Sequence, residues 1–502
     1  MDLILGIDIG TTGIKAVAFD YEGQPQGIAY FEHKTQFPHS GWAEQDPNEW
    51  WNVLVVTLHK LFTKVSPGNV KAIGVTSQQA SPVMLDKNNN VLMNSLIWMD
   101  KRAVQECKNA QEILTKEELY KRNGTVPDPM YVVYKLAWIK NNNKEVFEQI
   151  DTVLQPKDYI NLKLTGVRAT DYTCAASVHA FELSERKWYK EELNCLGIDE
   201  ELFPRIVDAT EPIGTITKDI AEEFGLSPDT IVVAGGGDTT VSSLGCGMVQ
   251  EGDVSVVIGT SSDVAMTTES PILDAKQRFG CYPFFEEKKY MAIAGGNSGG
   301  SALKWIRDTM FVREKMENPD EIYDLMLKNI EKIPIGSNSL VFLPYLSGER
   351  SPIYNPLARG LFVGLELSHT RDHLVRAVIE GISLGIFDRI HAIEEAGGCA
   401  KRIIIAGGGA KNESWRQIIT DMVGKPTYIS TTEEATALGA AILAAVGAKV
   451  YSSVSEACSS MASIGTELLP NANTKEQYYR LYEVFKKSYY ANVDIFNDIA
   501  AL

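Results

Sequence analysis

Two short stretches of the chain carry residues suited to chemistry and repeat each other. IDIGTTGIKAVAF (Ile7–Phe19) and VVIGTSSDVAM (Val256–Met266) both read as apolar run, Ile-Gly-Thr-(Thr/Ser), apolar run, with Gly10 and Gly259 half the chain apart. A turn of Gly and Thr presents backbone N–H groups and hydroxyls without bulk, which suits the close approach of phosphate oxygens. A single such turn reads most simply as a hairpin connection. Two copies at matching points predict two pseudo-equivalent domains, each offering a phosphate-binding hairpin to a shared cleft that grips a polyphosphate from both sides. Asp8 ends the first apolar run, where a carboxylate can hold Mg²⁺ directly or through water. Lys15 either adds a point charge there or is a solvated strand lysine.

Other polar positions are less specific. In AGGGDTTVSSLG (Ala234–Gly245), three glycines leave little bulk around Asp238, which reads either as a reactive carboxylate or as the cap of the next helix. His369 and His373 are four apart, but HTRDH lacks the glutamate of HExxH and stands where a helix begins, so a metal pair is disfavoured.

The elements that must position these residues follow from pattern. Asp46 caps a helix, Pro47 takes its first position, and Trp50, Trp51, Leu54, Leu58, Leu61 and Phe62 form its apolar stripe. VKAIGVTSQQ (Val70–Gln79) reads as a buried strand, and VMLDKNNNVL as strand, turn and strand. Strands alternate with helices up to IVVAGGGDTTVSSLG, which predicts an α/β fold with a mostly parallel sheet. The programme restarts at about residues 246–253 and runs to IIIAGGGAKNESW (Ile403–Trp415) and the small-residue helix TALGAAILAAVGA. KEQYYRLYEVFKKSYY closes the chain as an amphipathic helix whose aromatics serve packing. The expected domains are 1–246 and 247–502.

At 502 residues, 44% hydrophobic and 23% charged, the composition is that of a globular protein too long for one core. A net charge of −17 makes nucleic acid and anionic membrane poor partners, and any anionic ligand then needs local donors. Seven scattered cysteines without a C-x-x-C pair, no basic leader and no long apolar run give the expectation of a cytoplasmic protein.

Several stretches resemble the FGGY carbohydrate kinases: the first hairpin, GWAEQDPNEWW, SLIWMDKRA (Ser95–Ala103), LQPKDYINLKLTG (Leu154–Gly166), AGGGDTTVSSLG, and the segment from Gly348 to Gly385 that begins GERSP. The resemblance runs nearly end to end. It implies two ribonuclease-H-like domains of the actin, hexokinase and Hsp70 type with a cleft between them. The absence of GxxxxGK[ST] excludes a P-loop as the nucleotide site. On this resemblance Asp238 is the general base. Thr11, Thr12, Lys15, Gly259, Thr260 and Ser261 hold the β- and γ-phosphates of Mg-ATP, and Gly300, Lys304, Gly408, Gly409 and Asn412 lie on the nucleotide side. Gln79, Trp98 and Asp100 surround the sugar. Xylulose kinases carry Met-His and glycerol kinases Arg-Glu where this chain has Gln79-Ala80. That disfavours glycerol and leaves D-xylulose open. A ketopentose such as xylulose is the favoured substrate and gluconate the alternative. A nucleotide-switch ATPase of the actin or Hsp70 kind is the reading from another class, and a homodimer is common among such kinases.

Overall fold

The Gly-Thr turns form as their flanks require. In the computed structural model, which describes residues 1–286 and 288–502, Leu3–Ile9 pairs antiparallel with Gly13–Phe19, and Asp253–Ile258 with Ser262–Thr268. Each hairpin sits at the centre of a seven-stranded sheet. In the first sheet, the strand Leu3–Ile9 has Gly13–Phe19 and then Pro25–Glu32 on one side, with Val70–Ser77 parallel to it on the other and Ile231–Val233 beyond. In the second, Asp253–Ile258 has Ser262–Thr268 and then Tyr290–Gly296 on one side, with Arg402–Ala406 parallel on the other and Thr427–Ser430 beyond. The order repeats strand for strand, so the sequence echo at Gly10 and Gly259 reflects a topology built twice.

Helices cover these sheets as the sequence pattern requires. Asp46 accepts from the Asn48 N–H at the head of Pro47–Leu61, and Trp50, Leu54, Leu58 and Leu61 are buried, with Trp51 and Phe62 half-buried. Lys475–Tyr490 buries Tyr478, Tyr482, Phe485 and Tyr489 in the second core, confirming their packing role. VMLDKNNNVL differs from expectation: Val83–Leu85 is a strand, but its return is a single bridge at Val91. The paired edge is taken by Thr152–Leu154 instead.

The helix Ala435–Gly447 holds the halves together. It comes from the C-terminal half, yet it lies on the strands Leu3–Ile9 and Val70–Ser77 of the first sheet and against the helix Asp238–Gly245. Glycines permit the approach. A Cβ at Gly6 or Gly74 would stand 2.0 Å from the carbonyl oxygen of Ala437 or Ala440. Where the two helices meet, a Cβ at Gly439 would stand 2.0 Å from the Val241 carbonyl oxygen. The result is a third core shared by both halves, in which Ile4, Val17 and Ala72 meet Ala265, Met291 and Ile404 around the alanines of this helix. The run of small residues is thus a surface for backbone-close packing on two sides.

Candidate active site

The strands of the first hairpin carry charged residues, one of which meets the second half. Asp8 stands directly across its hairpin from Lys15. Lys15 Nζ reaches the second half, 2.6 Å from the Glu434 carboxylate at the head of the helix Ala435–Gly447. In the second hairpin the loop is one residue shorter, and Asp263 takes the place across from Val257. A cavity of about 230 Å³ lies between the halves, lined by Asp238, Thr239 and Ser242 on one side and Ser255, Asp263 and Thr436 on the other. The strands of the second hairpin border this cavity, and Asp8 of the first stands close enough to Asp238 for their charges to interact.

Asp238 occupies the first position of the helix Asp238–Gly245, whose N-cap is Gly237, so it is not the capping residue that its sequence context also allowed. One carboxylate oxygen accepts from the Thr239 N–H at 2.7 Å. Burial raises its pKa to about 6, against the pull of the Thr239 donors. Burial also raises Asp8 to about 7; Asp238 adds to the rise, Lys15 opposes it and Glu434 adds to it again. Asp8 Oδ1 is buried without a hydrogen-bond partner. An orphaned carboxylate oxygen beside other acids is the donor a hard cation takes, so the residues present fit Mg²⁺. Asp263 is likewise raised by burial, with Arg350 and Arg389 opposing.

The remaining expected residues divide. Gln79 lies against Gly237, where a Cβ would come within 2.2 Å of its side chain, and its Nε2 donates to the Thr173 carbonyl at 2.9 Å. Trp98 is 42% exposed and donates from Nε1 to Thr11 Oγ1 at 3.0 Å, tying its ring to the first Gly-Thr turn. With that hydroxyl engaged, Thr12 is the exposed side chain of the first turn. In the second turn Gly259 and Thr260 are exposed and Ser261 half-buried, and the first N–H groups of the helix Gly300–Met310 grip the turn: Gly300 donates to Gly259 and Ser301 to Thr260. Gly408 borders open space and Gly409 packs on Ile258. Asn412 uses its carbonyl oxygen to cap the helix Glu413–Val423, accepting from the Trp415 N–H at 2.9 Å. Lys304 is exposed on its helix.

Asp100 corrects the expectation. It is fully buried, and its oxygens accept from Arg102 and from the Ala43 N–H at 2.8 Å. Arg102 in turn stacks over Trp42, 3.7 Å from the ring centre, and reaches Glu44 at 2.7 Å. Asp100 therefore anchors an internal cation and offers no acceptor to a ligand in this conformation. Lys15 is paired across the cleft rather than free. The histidines are also local: His373 shares a capping box with Thr370, and His369 accepts from the Glu366 N–H.

Reading the sequence missed Asp263 and Glu434. Asp263 was findable, because the shorter second loop brings it to the position that Lys15 holds in the first. Glu434 had no local signal, since only the docking of its helix on the other half's sheet brings it to Lys15.

The comparisons agree with this geometry. The N-terminal domain model of the FGGY family of carbohydrate kinases matches residues 3–245, and the C-terminal domain model matches residues 254–448. A gluconokinase of Bacillus subtilis (strain 168) is 32% identical over 96% of this chain and 94% of its own length. A xylulose kinase of the same strain is 28% identical over 99% and 98%. The crystal structures of a gluconate kinase and a ligand-bound xylulose kinase from Lactobacillus acidophilus both superpose with a TM-score of 0.92. They are 29% and 28% identical, covering 99% of this chain and 99% and 100% of theirs. With both domain models matched in order across the twin hairpins and the acidic cleft between them, the chain belongs to the FGGY family of carbohydrate kinases.

Proposed function

We propose that the protein transfers the γ-phosphate of ATP to a hydroxyl of a small sugar, of which a ketopentose such as xylulose is the favoured example. The observation that carries the reading is Asp238: a carboxylate with a pKa of about 6, at a helix start, lining a cavity walled by both halves. A base of that strength is ionised at neutral pH and still basic enough to draw a proton from an attacking hydroxyl. Gln79, packed against Gly237, and Trp98, bonded to Thr11, would offer an amide and a flat apolar face, the pair of contacts that a hydroxylated carbon chain takes. The exposed turns at Thr12 and at Gly259–Thr260 would offer donors to phosphate oxygens. Asp8 would hold Mg²⁺, which when bound neutralises charge on the moving phosphoryl group. Gly408 and its neighbours would receive the adenosine end.

Gluconate is the second reading. The gluconokinase likeness favours it, and Arg350, bonded to the cavity-lining Asp263 at 3.3 Å and half exposed, offers a partner for a substrate carboxylate. The seven cysteines are all unpaired, which supports a reducing cytoplasmic location. No helix among the described residues is long and apolar enough to cross a membrane.

The test is ADP release from the purified protein with D-xylulose, D-ribulose, L-xylulose, gluconate, glycerol and erythritol. A kcat/KM for one ketopentose at least tenfold above the others supports the first reading. The same preference for gluconate replaces it with the second. Turnover that ignores every added sugar removes both.

A further inference from the structure

Against the backbone that leads into Asp238 lies a set of buried polar groups that the proposed chemistry does not use. Lys157, Asp158 and Asp171 are essentially without solvent contact, with Lys157 Nζ 3.1 Å from Asp171 and bonded to Asp158. Asp171 caps the short helix Tyr172–Ala176: Oδ2 accepts from the Thr173 N–H at 2.7 Å and from the Thr173 hydroxyl at 2.5 Å. Thr173 Oγ1 then accepts from the Gly237 N–H at 2.8 Å, one residue before Asp238. The Thr173 carbonyl receives the Gln79 amide. One residue thus touches both the backbone that presents the base and the side chain assigned to the sugar.

The chemistry of the chain gives it a direction. An ionised carboxylate only accepts hydrogen bonds, so Asp171 obliges the Thr173 hydroxyl to donate to it. The hydroxyl oxygen is then left to accept, and the Gly237 N–H is the donor that meets it. Lys157 supplies the positive charge that a buried carboxylate needs to remain ionised. Gly236–Gly237 has no side chain to anchor it and makes only a short ladder with Thr76 and Ser77, so an external fixed point is mechanically useful there.

We propose that Thr173 is a positioning residue for phosphoryl transfer: through the relay Lys157–Asp171–Thr173–Gly237 it fixes the backbone that aims Asp238 at the acceptor hydroxyl. The inference rests on the assignment of Asp238 as base.

The test compares wild type, Thr173→Val, Thr173→Ser and Asp238→Asn on the best sugar of the panel. Thr173→Val is expected to lower kcat at least tenfold with KM for ATP within twofold of wild type, and to increase deuterium uptake in the peptide containing Gly237. Thr173→Ser is expected to restore both readouts. Asp171→Asn, whose amide can donate to the hydroxyl and reverse the relay, is expected to behave as Thr173→Val does, and it serves as the probe should the valine variant not fold. Wild-type kcat in both Thr173→Val and Asp171→Asn overturns the inference, as does a serine variant as impaired as the valine one. Full activity in Asp238→Asn would instead sink the base assignment on which the relay depends, so the two failures are told apart.

Discussion

At the residue scale the case turns on two carboxylates whose surroundings push them toward neutral pH. Asp238→Asn is expected to keep ATP affinity and lower sugar-dependent turnover by about 10²–10⁴, measured as kcat beside nucleotide binding. Because Asp238 must be ionised to accept a proton, and its pKa is about 6, kcat/KM should fall as pH drops through 6 and flatten above it. A limb near the ordinary aspartate value of 3.8 would remove Asp238 as the titrating base. Asp8 makes a stability prediction of known sign. Its native pKa of about 7 lies above the unfolded value, so the native state holds a proton that the unfolded chain releases. Its contribution is fully present near pH 4 and lost as pH rises to about 7. Asp8→Asn should therefore raise the melting temperature of the ligand-free protein at pH 8 and abolish its response to Mg²⁺, both read by thermal shift. Asp238, Gln79 and Trp98 were nominated from the sequence because glycine neighbours and family motifs single them out, and the variants above test the nomination of Asp238. Asp100 was misread because its motif gives residue type and order but not Arg102 folding back over it.

At the scale of elements, each Gly-Thr turn was legible because its flanking runs could only be buried strands. Thr260→Val is the direct probe of the second turn. Loss of one hydroxyl to a charged phosphate is worth about 1.5–3 kcal/mol, so KM for ATP should rise roughly tenfold or more, while an unchanged KM would detach the turn from the nucleotide. The partners of the helix Ala435–Gly447 could not be read the same way. Alanine and glycine mark a helix that something approaches closely, but not what approaches it, and here the approach comes from both sides. Gly74→Ala would drive a Cβ to 2.0 Å from a backbone oxygen. The expected cost is about 3 kcal/mol, seen as a lower denaturation midpoint with an unchanged slope.

At the scale of the whole molecule, the two halves meet on either side of the cleft. Within it Lys15 pairs with Glu434; elsewhere Tyr131 meets Tyr282 at 3.2 Å, and Arg186 donates to the Lys289 carbonyl at 2.9 Å. Further bonds cross at Tyr120, whose hydroxyl donates to the Phe279 carbonyl at 3.0 Å, and at Cys281, whose N–H donates to the Gly124 carbonyl at 2.8 Å, so polar bridges surround the shared apolar core. The repeated strand order was foreseeable from the echo of the two turns. The shared core was not, because it depends on a segment nearly two hundred positions after the first sheet is complete.

That late segment sets a timetable for biosynthesis. When Gly245 leaves the ribosome, the backbone-close face around Gly6 and Gly74 has no cover, and the covering helix is still unmade. At about 5–20 residues per second the wait is roughly 10–40 seconds, during which an apolar flank is open to any passing chain. A nascent kinase of this design needs either a holding chaperone or slow early folding to survive its own translation.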